Sequence, residues 1–117
     1  MLTQLIFVND FSDEAAFDAA ARGYLSHVLV KLESGLLYPV VFYDPIRLKQ
    51  DMDELAAHGE RFLADPGMII VPEVSREAME SAALTLAAQG FFDHFVPTTM
   101  EMVNASRGHW PPPRTPK

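Results

Sequence analysis

Few reactive side chains in this sequence stand at a spacing that chemistry uses. The chain carries 4 histidines, 3 tyrosines and 16 carboxylates, and no cysteine. The tightest constellation follows Asp44. Arg47, Asp51, Glu54 and His58 fall within about 60 degrees of one another around a helix axis, given 3.6 residues per turn. Glu54 and His58, four apart, have a spacing that can hold a metal, but a site needs further ligands that the sequence does not name. The same residues read as solvated helix pairs: Arg47 with Asp51, Lys49 with Asp53, Glu54 with His58. The solvated stripe is the expected reading, with no metal and no cofactor.

The acid–base candidates are His27 and Tyr43, on a predicted hairpin, and Glu60 and Arg61, in the loop from Gly59 to Gly67. Together they are the residues that would line an enzyme pocket. Each has a plain structural alternative. A half-buried tyrosine satisfies its hydroxyl, and most such loops simply connect. Asp93-His94, set among phenylalanines, reads as a histidine bonded to a backbone carbonyl. There is no Gly-rich phosphate loop, no G-x-S-x-G, no H-E-x-x-H and no EF-hand loop.

The elements that must position these residues are better marked than the chemistry. From His27 to Tyr43 the apolar residues alternate, with Glu33-Ser34-Gly35 between the two runs. A three-residue loop with Gly35 left-handed pairs Leu32 with Leu36, Val30 with Tyr38 and Val28 with Val40. The large apolar residues then share one face, and His27 and Tyr43 take the other. Pro39 has no amide proton, so it implies an edge strand or a bulge nearby. Asp44 and Pro45 start a helix whose stripe is Leu48, Met52, Leu55 and Ala56.

Before the hairpin, Leu2 to Val8 reads as a strand, apolar without a break from Leu5 to Val8. A helix follows, capped by Asp10 or Ser12, with Phe17, Ala20, Ala21 and Tyr24 on its apolar side and Gly23 at its end. After the loop, which Phe62 and Leu63 are expected to pin, Met68 to Val71 is a short strand. Ser75 caps a third helix with Met79, Ala82, Ala83 and Leu86 on its apolar side. A cluster of Phe91, Phe92, Phe95 and Val96 succeeds it. The predicted class is α+β, with a β-α-β-β-α-β core of the ferredoxin-like (split βαβ) kind plus a third C-terminal helix. Residues 1–103 are expected to form one domain, and 104–117 a Pro-rich, disordered tail.

The net charge is −7 and the pI about 4.9, an acidic balance that argues against nucleic acid and anionic membranes. No apolar run approaches the roughly 20 residues of a membrane span. The first residues lack a signal-peptide pattern, and a cytoplasmic protein is expected. The expected function is a non-catalytic protein-interaction or regulatory module. It would pair with a basic protein partner, with inhibitor or immunity-type roles as an analogy. The alternative is a small enzyme or small-molecule-binding protein of the dimeric α+β type, its pocket between sheet and helices. A homodimer is expected, because Leu29, Leu37 and Val41 add apolar surface on the sheet's second face.

Overall fold

The computed structural model describes residues 3–112. Its first four residues of regular structure, β1 (Gln4–Phe7), run antiparallel to β2 (Tyr24–Lys31), and β2 runs antiparallel to β3 (Leu37–Tyr43). β4 (Met68–Ile70) adds in parallel to β3, which completes a mixed sheet in the order β1-β2-β3-β4. The class is α+β. The strand order departs from the ferredoxin-like arrangement, where β1 would lie inside the sheet beside the last strand. Here β1 is an edge strand against β2, and chain order equals spatial order.

The hairpin register is the one its alternation demands. Val28 pairs with Val40 and Val30 with Tyr38, and the Leu32 N–H donates to the Leu36 carbonyl at 2.9 Å. Val28, Val30, Val40 and Phe42 are fully buried on one face, with Tyr38 nearly so. α1 (Asp13–Arg22) and α3 (Arg76–Ala88) contribute Ala19, Met79 and Ala83 to this core, and a 3₁₀ turn, Phe91–His94, contributes Phe92. A buried side chain the size of Phe42 or Phe92 stabilises the fold by roughly 2 kcal/mol. In α1 the buried residue is Ala19. Phe17 is 74% exposed, Ala20 and Ala21 are exposed, and Tyr24 begins β2 instead of closing the helix.

Ser12, Asp44 and Ser75 cap their helices, each accepting the N–H three residues on. Asp44 starts α2 (Pro45–Ala57), where Leu48, Met52 and Leu55 are half-buried and Ala56 is exposed. A further helix, α4 (Met100–Ala105), is capped by Thr99. None of these helices is long and apolar enough to cross a membrane.

Two irregularities shape the sheet. Between Leu25 and Val28 β2 takes three steps while β3 takes two, from Phe42 to Val40. Ser26 and His27 form this bulge, and His27 takes the left-handed conformation at φ 63°. The second irregularity is Pro39. It lies in a central strand, paired with Leu29. The Val41 N–H points to β4 and donates to the Gly67 carbonyl at 3.1 Å, so the nitrogen of Pro39 points the same way. β4 begins pairing only at Val41, and the Thr98 N–H reaches the Leu37 carbonyl at 2.8 Å on the far side. Pro39 sits in the gap between those two partners, where no donor is needed.

Residues 104–112 do not leave the body of the domain. Ser106 and Pro112 are buried, and the Trp110 indole N–H donates to the Val40 carbonyl at 3.0 Å. The tail expected from Asn104 onward is therefore docked through residue 112. Residues 113–117 lie outside the described part. Leu29 and Val41, two side chains behind the dimer expectation, are 0% and 4% exposed within one chain.

Candidate functional site

The bulge turns His27 toward the C-terminal segment. Its Nε2 lies 2.8 Å from the Gly108 carbonyl oxygen, which can only accept, so Nε2 carries a proton and donates. In the neutral ring Nδ1 then accepts from the Ser26 hydroxyl, 2.7 Å away. The imidazole stacks on Trp110 at 4.9 Å between ring centres. Both nitrogens and one face are engaged, so this histidine works as a clasp and has no free position for acid–base chemistry.

Tyr43 belongs to a second network. Its hydroxyl donates to Asp65 Oδ2 at 3.1 Å, and its ring meets the edge of Tyr24 at 5.0 Å. Burial, then the neighbouring Asp65 carboxylate, pushes the phenol well above its ordinary range. Tyr43 thus stays a donor. Arg47 lies over the Tyr24 ring at 4.9 Å, bonds Asp51 at 2.9 Å and reaches the Arg22 carbonyl at 3.3 Å. The cluster ties α2 to the sheet face opposite Phe42.

Glu60 and Arg61 join neither network. Both are exposed between α2 and β4, beside a Phe62 that is 72% exposed and pins nothing; only Leu63 of the expected anchors is half-buried. Glu54 and His58 are exposed too, and His58 Nδ1 lies 3.0 Å from the Glu54 backbone oxygen. The described residues contain no group of three or more metal-ligating side chains. Sequence spacing had brought the four acid–base candidates to one pocket; the fold distributes them over a clasp, a buried phenol and an open loop.

Two of the concave surfaces among the described residues touch β4. One is a groove of about 720 Å³ between β4 and α3, floored by Met68 to Val71 and walled by Ala78, Ala82, Thr85 and Leu86. β4 is the last strand of the sheet, so its outer edge is unpaired among the described residues. The Val71 N–H donates to Tyr43, which leaves the Ile70 N–H pointing outward. The other is a cavity of about 470 Å³ beside Pro39, bounded by the loop before β4, the segment from His94 to Thr98, and Pro111 and Pro112. Sequence reasoning expected a pocket between sheet and helices, but none of the four residues it named lines either surface. The only advance signals were the uncharged run Met68 to Val71 and the 9 prolines, scattered along the chain.

Comparison with known proteins finds no matching family model, no similar curated protein and no similar solved structure.

Proposed function

We propose that this chain is a non-catalytic, cytoplasmic protein-interaction module that lends the edge of β4 to an extended segment of a basic partner. The supporting observation is that edge. It is three residues long and uncharged, it carries an Ile70 that is 47% exposed, and α3 stands beside it with small side chains. A peptide backbone completes such an edge by hydrogen bonding, and its alternate side chains fill the groove. Charge favours a basic segment. Glu73 follows the groove-lining Pro72, and Glu77 stands one helical turn before the groove-lining Ser81. The nearby cation, Arg76, is turned away onto Phe7 and Phe11, at 5.2 and 4.8 Å, and donates to the Phe11 carbonyl.

NMR titration with an extended hexapeptide of alternating lysine and valine tests the proposal. Expected shifts lie in residues 68–72 and along the Ala78–Gln89 side of α3. The substitution Ile70→Pro removes the outward amide and leaves the ladder to β3 intact, so it should abolish binding in a folded protein. Equal binding of a glutamate-valine peptide, or unchanged binding by Ile70→Pro, sinks the reading.

A two-fold dimer through the same edge is the second reading, favoured by the exposed Ile70 and the absence of charge on β4. Light scattering should then give about twice 13.0 kDa for the wild type and a monomer for Ile70→Lys. A wild-type mass of one chain at every concentration removes it.

A further inference from the structure

We infer that the cavity beside Pro39 is a binding site for a small aromatic amine. The reasoning does not depend on the β4 edge. The cavity exists because the second edge of β3 is paired above and below Pro39 and unpaired at it. No strand can fill that gap, since the proline has no amide to bond one. Its volume of about 470 Å³ is within the range of small-molecule sites.

The lining is rich in proline. Pro39, Pro66, Pro97, Pro111 and Pro112 contribute five carbonyls and no N–H. The lining amides of Met68, Phe95 and Thr98 are already given to the carbonyls of Asp65, Phe92 and Leu37. Among the described residues, neither lysine nor arginine lines the cavity. What the wall offers a cation is proline carbonyls and a carboxylate, and Asp65 is the strongest acceptor among them. Tyr43 holds its Oδ2, while Oδ1 has no hydrogen-bond partner among the described residues. An ammonium group satisfies such a carboxylate, and an anion is repelled. Around it, proline rings, Phe95 and Met68 present C–H groups to a flat apolar body. This is the contact by which aromatic grooves hold prolines, with the roles reversed.

The chain's one tryptophan, Trp110, adjoins Pro111 of the lining and reports occupancy by its fluorescence. Three probes that each carry a phenyl ring on a two-carbon chain separate charge from shape: phenethylamine, phenethyl alcohol and 3-phenylpropionate. At pH 8, above the ordinary histidine range, phenethylamine should bind saturably and roughly tenfold more tightly than the alcohol, and the carboxylate should not bind. NMR shifts should fall in residues 64–68 and 94–98. Asp65→Asn should reduce the amine to the level of the alcohol. His94→Lys, at an exposed position on the cavity wall, should abolish amine binding without touching the Tyr43 bond. Absence of binding by all three probes, equal affinities, shifts confined elsewhere, or tight amine binding by a folded Asp65→Asn protein would each overturn the assignment.

Discussion

The carboxylate of Asp44 fills the space where a β-carbon on Gly23 would stand. Its Oδ1 caps α2 by accepting the Arg47 N–H at 2.7 Å, and a Cβ built on Gly23 would lie 2.5 Å from it. The Asp44 N–H in turn donates to the Gly23 carbonyl at 2.9 Å, so the end of α1 and the start of α2 are joined here. Gly23 also ends α1 at φ 68°, a conformation that costs an L-residue about 1 to 2 kcal/mol. Asp44→Ala should destabilise the domain by about 1 kcal/mol, and Gly23→Ala by more, since strain and collision add. In urea denaturation the double substitution should fall short of the sum of the two, because removing the carboxylate relieves the collision.

Trp110→Ala should destabilise the fold by about 2 kcal/mol, enough to lower Tm by roughly 10 °C. It deletes the stack on His27 and the bond to the Val40 carbonyl. Truncation after Val103 should be at least as damaging, since it also removes the buried Ser106 hydroxyl from the Val103 carbonyl. Calorimetry of the two variants beside the wild type decides; an unchanged Tm would mean the clasp carries no stability.

Thr98→Val should raise stability by about 1 kcal/mol. The Thr98 hydroxyl is buried and has no hydrogen-bond partner among the described residues. Valine keeps the branched shape and the backbone bond to Leu37 while removing the stranded polar atom. A loss of stability in urea titration would show that the hydroxyl is satisfied in solution.

Stability should fall above about pH 10, and Tyr43 should account for part of the fall. Its folded pKa lies above the ordinary phenol value, so the folded state keeps the proton after the unfolded state has released it. The contribution is complete below the unfolded pKa of about 10 and fades as pH climbs toward the folded one. Tyr43→Phe has no proton to lose. Denaturation midpoints from pH 8 to 11 should therefore show a shallower decline for the variant than for the wild type.

Local chemistry was legible in the sequence, and neighbourhood was not. The Gly35 turn fixed the hairpin register, and three helix starts were announced by Asp44, Ser75 and the pair Asp10 or Ser12, of which Ser12 is the cap, because each signal acts within a few residues. The apolar run of β1 marks a strand but not which strand lies alongside, so its place beside β2 could not be read. The bulge at Ser26 and His27 was hidden for a related reason. A left-handed histidine is stabilised by Gly108 and Trp110, which are far off in sequence. The candidate site suffered most. His27 and Tyr43 carry reactive groups, and it took their partners, Trp110 and Asp65, to reveal one as a clasp and the other as a buried donor.

The clasp also sets the timetable of folding. The bond from Trp110 to Val40 closes a span of 70 residues and that from His27 to Gly108 a span of 81, while the hairpin they seal closes over a turn of three. Closing long loops loses more chain entropy than closing short ones, so the hairpin zips early and the clasp arrives late. At roughly 5 to 20 residues per second, a ribosome leaves the nascent hairpin unsealed for several seconds. Lesions at Trp110 should consequently hasten unfolding and leave the folding rate almost untouched. A chaperone would meet this protein, if at all, during that interval, with the bulge at His27 still open to water.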